Sequence, residues 1–159
     1  MTCADKTKVE CLIRHCRMFL YASNASPEFV MNPVAKEFLV FGLLHLTCTM
    51  FITTDAQTDP HGGAFHRVLD KMGHGHLLDD IDAALDVTVG RTTLKQYLRA
   101  KRNKLATHGE LALASQPKEI QDVTFSKKSL RQFDSAMSKL ESAVHILLRR
   151  LQQLTMNRA

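Results

Sequence analysis

The sequence predicts an all-α protein, an up-and-down bundle of four to five main helices that ends in a long C-terminal helix. Three observations carry this reading. Apolar residues recur three and four apart over most of the chain, and no alternating apolar pattern of useful length appears. Seven Gly and four Pro in 159 residues supply little of the turn chemistry that a sandwich or barrel needs. Hydrophobic residues at 45% and charged residues at 23% are ordinary globular values, which argues against a disordered or fibrous chain. At this length one domain over 1–159 is expected, with enough buried surface to fold without staples.

Val9, Leu12, Ile13, Cys16, Phe19 and Leu20 mark the buried face of a first amphipathic helix, and Asn24, Ser26 and Pro27 end it. Pro33 suits the first turn of a second helix. Residues 38–54 contain no Lys, Arg, Asp or Glu, yet 17 residues holding His45 and four threonines are too short and too polar for a membrane span. A core helix, apolar all round, is expected there instead. After a loop at 59–63, two short helices are expected near 64–72 and 77–86, split by Gly73 and Gly75. Thr92, after Gly90, is the expected N-cap of a helix running to His108, with Gly109 as its stop. A polar linker containing Pro117 then leads to Ser126, a further N-cap.

The last segment has the strongest pattern in the chain. Leu130, Phe133, Met137, Leu140, Val144, Leu147, Leu151 and Leu154 alternate three and four apart, which describes one long helix with a single apolar seam. A seam buried within an antiparallel bundle and a coiled-coil dimer read alike at this level. The bundle is favoured because the other helices need partners too.

Cys3, Cys11, Cys16 and Cys48 form no C-x-x-C pair, so free thiols in a reducing, cytoplasmic compartment are expected rather than a zinc site. The N-terminus runs directly into Asp5, Lys6 and Lys8, and no signal peptide is expected. His61, His66, His74 and His76 lie near Asp70, Asp79 and Asp80, but none forms the i, i+4 His pair of a helical metal site. Neither a Gly-rich phosphate loop nor a G-x-S-x-G elbow is present. No metal, no cofactor and no membrane contact are therefore expected.

The formal charge of +5 is unevenly distributed. Residues 1–86 carry 7 Lys/Arg against 11 Asp/Glu, a net of −4, whereas 87–159 carry 14 against 5, a net of +9. Such asymmetry hints at contact with nucleic acid or a membrane surface. Residues 87–109 hold six cations, Arg91, Lys95, Arg99, Lys101, Arg102 and Lys104, and no acid. A helix without compensating acids forgoes i, i+4 ion pairs, and an anionic ligand would relieve its self-repulsion. On a helical projection Leu94, Leu98 and Leu105 form an apolar stripe with Tyr97 at its edge. Arg102 falls roughly 60° to one side of that stripe and His108 roughly 60° to the other. His108 beside Gly109 also reads as a partner for the helix's C-terminal carbonyls.

Arg102-Asn103 followed by His108, with five residues between Arg and His, resembles the R-x(4–6)-H signature of HEPN domains (higher eukaryotes and prokaryotes nucleotide-binding). The local sequence RNKLATHGEL resembles the abortive-infection, toxin-like branch of that family. Arg67 and His74 fit the same spacing, but Arg67 precedes an apolar Val68, sits in the acidic half and reaches His74 across Gly73. The resemblance implies a helical bundle that dimerises with itself, the motifs of both subunits forming one composite endoribonuclease site without a metal. It further implies catalytic roles for Arg102 and His108, a polar helper in Asn103, and RNA-backbone contacts from Lys95, Arg99, Lys101 and Lys104. An antitoxin protein as partner belongs to the same expectation. A non-catalytic helical module that binds a partner protein or nucleotide is the alternative.

Overall fold

The structure, a computed structural model, describes residues 2–24, 33–52, 63–107 and 127–156. The fold is all-α. Six helices are present among the described residues: α1 (Cys3–Ser23), α2 (Pro33–Met50), α3 (Ala64–Lys71), α4 (Asp79–Leu85), α5 (Leu94–Thr107) and α6 (Lys127–Met156). A 3₁₀ turn (Gly75–Leu78) precedes α4, and two short strands, β1 (Thr88–Val89) and β2 (Thr92–Thr93), precede α5. Four helices are long and two short, the arrangement expected, and every helix contributes to one contiguous core. Among the described residues no helix is long and apolar enough to cross a membrane.

Helix α1 begins on a capping box. Thr2 Oγ1 accepts the Asp5 N–H at 3.1 Å, and the Asp5 carboxylate accepts the Thr2 N–H at 3.1 Å. These hydrogen bonds to Thr2 also hold the Asp5 carboxyl below the usual range. All six residues read as its apolar face are buried. At the other end Asn24 donates to the Leu20 carbonyl, while Ser23 Oγ (3.1 Å) and Asn24 Nδ2 both donate to Glu141 of α6. One carboxylate thus ties the C-terminus of α1 to the middle of the longest helix.

The 30-residue α6 spans about 45 Å. Leu140, Val144, Leu147 and Leu151 are fully buried, and Phe133, Met137 and Leu154 partly so. These seam residues pack within the chain, chiefly on α1 and α4. Leu130 carries the seam into a part of α6 whose side chains lie outside the described residues.

Helix α2 corrects one expectation. Leu44, Thr47, Cys48 and Met50 are buried, but His45 is exposed and Gly42, Leu43 and Leu46 are only half-buried. The helix packs on α1 and α5 and keeps one side open, so it is not enclosed all round. The buried Thr47 hydroxyl is satisfied by donating to the Leu43 carbonyl at 2.7 Å. Beyond α2, Phe51 stacks edge-on against Phe19 (5.9 Å between centroids) and Phe65 (5.0 Å), joining α1 to α3.

A second correction concerns Thr92. It does not cap α5: it pairs with Val89 in a two-stranded antiparallel ribbon, where Thr88 also faces Thr93. The β-branched residues favour extended backbone, and Gly90 takes the φ of +67° that the two-residue turn requires. The cap moves one residue on, to Thr93. Its Oγ1 accepts the Gln96 N–H at 3.3 Å, and Gln96 Oε1 accepts the Thr93 N–H at 3.2 Å. Gln132 of α6 accepts the Gly90 N–H at 3.1 Å and so anchors the ribbon to the bundle.

All four cysteines are free thiols, Cys3 and Cys11 exposed, Cys16 and Cys48 buried. Burial pushes the Cys16 thiol up to about 12. A thiol-titrating disulfide reagent is expected to modify Cys3 and Cys11 in the native chain and the other two only after unfolding. Rapid labelling of Cys16 in the native state would contradict the packing of α1 on the core.

Candidate nucleic-acid interface

The β1–β2 ribbon sets the start of α5, and the apolar residues of α5 set its rotation. Leu94, Tyr97, Leu98 and Ala100 are buried, and the Tyr97 ring meets Phe133 of α6 at 5.2 Å between centroids. Burial pushes the Tyr97 hydroxyl well above its usual range. With that face fixed, Lys95, Arg99 and Arg102, at i, i+4 and i+7, share one flank of the helix, and all three are half-buried. Helix α5 itself holds no acid.

Lys101, Asn103 and Lys104 lie on the same continuous helix, but their side chains are outside the described residues. So is His108 in its entirety, since α5 is described as far as Thr107. The structure therefore aligns Arg102 with Lys95 and Arg99 and leaves its distance to His108 unassigned.

One acid does reach this flank, Asp82 of α4. Lys95 faces Asp82 closely enough to favour its ionised form. His66 of α3 does the same from the other side, its Nε2 3.2 Å from Asp82 Oδ1, a distance of an ion pair although no well-aligned hydrogen bond forms. Desolvation outweighs both attractions, with Asp86 adding repulsion, and the Asp82 carboxyl titrates above its usual range. The His66–Asp82–Lys95 cluster joins three helices and was not visible in sequence spacing.

A carboxyl whose folded-state pKa is raised binds more protons in the native than in the unfolded state. Its contribution to stability is then fully present at low pH and lost as pH rises from about 3.9 through the raised value. Asp82→Asn is expected to escape that loss. Its melting temperature relative to wild type should rise between about pH 3.5 and pH 6, as thermal melts across that range would record. A constant difference would mean that Asp82 is not desolvated.

The second Arg/His pair has a purely structural reading. Helix α3 ends in a Schellman motif: the His74 N–H reaches the Leu69 carbonyl at 2.8 Å and the Gly73 N–H the Asp70 carbonyl at 3.0 Å, with Gly73 at φ +73°. His74 sits where it does to close a helix, and its ring meets that of His76. Near them a concavity of about 540 Å³ is lined by His76, Asp79, Asp80 and Arg150. Arg150 is neutralised there by Asp80 at 2.9 Å. Among the described residues no group of three His, Cys, Asp or Glu side chains is placed to hold a metal ion.

Compared with known protein families, curated proteins and solved structures, the chain matches none.

Proposed function

We propose that the chain is a metal-independent endoribonuclease of HEPN type, acting as a homodimer whose two Arg102-Asn103…His108 motifs form one composite site. The observation that carries this reading is the cationic flank of α5: Lys95, Arg99 and Arg102 in line on a helix without an acid of its own. A row of cations one turn apart suits a phosphate backbone. The 2′-oxygen of a ribose attacks the adjacent phosphorus, the bond to the 5′-oxygen breaks, and a 2′,3′-cyclic phosphate remains. The Arg102 guanidinium, protonated at every working pH, stabilises the charge on the phosphorane. His108 exchanges the proton, Asn103 helps to orient the phosphate, and Lys95, Arg99, Lys101 and Lys104 hold the strand. In a cell such an activity is that of a cytoplasmic toxin or antiviral effector, restrained by an antitoxin.

The test is incubation with single-stranded RNA in excess chelator. Wild type is expected to cut and leave cyclic-phosphate ends, and His108→Ala is expected not to. Equal cutting by both removes His108 from the site. Absence of cutting by wild type favours the second reading, a non-catalytic module that binds a partner protein. That reading has its own support in an open apolar groove between α1 and α2.

A further inference from the structure

This groove, of about 460 Å³, lies beside the mixed-charge concavity that α1 forms with the end of α6, and Arg14 and Arg17 border both. Met18 and Tyr21 of α1 and Leu43 and Leu46 of α2 line it. Tyr21 is 77% exposed and Met18 46%. Two exposed apolar side chains thus stand beside two half-buried leucines on one concavity.

Two further observations say what it binds. The first is Gly42, inside α2 and on the groove. A glycine in a helix interior weakens it relative to alanine. Among the described residues nothing asks for one here, because a Cβ at this position would touch nothing within 4 Å. The open space beside Gly42 leaves room for close approach of a second backbone from outside. The second is the rim. Arg14 and Arg17, one turn apart on α1, border the groove, and neither has an ion-pair partner among the described residues. Even Glu10, one turn before Arg14, forms no ion pair with it.

We infer that the groove between α1 and α2 docks an amphipathic helix of a partner protein, with apolar anchors in the groove and acidic residues opposite Arg14 and Arg17. Anchors spaced i, i+3, i+4 and i+7 are the ordinary content of a helix-in-groove interface, and the unpaired arginines select the charge of its flank. A second copy of the chain fits less well: an isologous contact would bring the same arginines into one interface on a protein of net charge +5. A lipid surface fits less well too, since the site is concave and deepened by a glycine. The inference uses no residue of α5 and stands apart from the ribonuclease reading.

The experiment titrates the full chain with a synthetic helix of about 18 residues, leucines at the four anchor spacings and glutamates on the flank, followed by fluorescence anisotropy. A control peptide keeps the leucines and replaces each glutamate by lysine. The acidic peptide is expected to bind about tenfold tighter or better. Gly42→Leu, which places a side chain on the groove at a position with room for a Cβ, is expected to lose about tenfold in affinity, and Arg14→Glu with Arg17→Glu to reverse the charge preference. The exposed substitution Tyr21→Ser gives the same loss should Gly42→Leu disturb the far-UV dichroism of α2. Equal binding of the two peptides, or binding of neither, overturns the proposal. So does a dimer in sedimentation equilibrium that Tyr21→Ser dissolves, which makes the groove a self-interface. Co-sedimentation with phosphatidylserine vesicles that Tyr21→Ser abolishes overturns it in favour of lipid.

Discussion

Arg102→Ala is expected to slow chelator-resistant RNA cleavage about 10²–10³-fold, the scale on which removal of one preorganised charge stabiliser acts. Arg102→Lys should recover only part of the rate. An ammonium is a point charge, whereas the planar guanidinium engages two phosphate oxygens at once. Single-turnover rates in excess chelator, read beside thermal melts, separate catalysis from folding. The melts matter because Arg102 is half-buried and engaged within the fold, so its truncation also costs packing. Lys95→Ala supplies the contrast: it should raise KM and flatten the salt dependence of binding while leaving kcat nearly intact. An Arg102→Ala rate within about threefold of wild type removes Arg102 from the reaction.

The helices of the bundle were legible because each buries one face and the apolar spacing records it. All six residues assigned to the buried face of α1 are buried, and the seam of α6 faces the core wherever its side chains are described. The ribbon Thr88–Thr93 was not legible, since two-residue strands have no period to detect. Its trace is a glycine set among β-branched residues, which also reads as a helix start. Helix α2 failed differently. A stretch without charge says that water-seeking groups are absent; it does not say that a neighbour covers every side. Leu43 and Leu46 remain half-open for that reason.

The candidate site was legible as a local run of cations and not as a charge distribution. Counting along α5 finds no acid, but Asp82 reaches Lys95 across the packing of α4, thirteen positions earlier in the chain. Arg150 is likewise answered by Asp80 from a distant element. Tertiary neutralisation therefore thins the basic half at both places. The motif's second member, His108, falls outside the described residues, so the central distance of the proposed chemistry is tested by cleavage.

Phe51→Ala is expected to have the largest effect on stability of any single substitution outside the helices. The ring is fully buried and makes edge contacts with both Phe19 and Phe65, each itself buried. Truncating a buried Phe to Ala typically costs about 3–5 kcal/mol, through lost transfer energy and the cavity left behind. Phe51 belongs at the upper end of that range, because α1, the end of α2 and α3 all close on the same ring and none can collapse inward without leaving the others. For a chain of this size each kcal/mol shifts the melting temperature by about 2–4 °C, so a fall of roughly 10 °C or more is expected in a thermal scan. Phe51→Leu, which keeps most of the volume and removes the ring contacts, should cost about a third as much. Tyr21→Ala, on the exposed groove, should be close to neutral. If instead Phe51→Ala and Tyr21→Ala prove equally mild, α3 does not close on the end of α2, and the edge-on stack joining α1 to α3 is not what holds that side of the bundle.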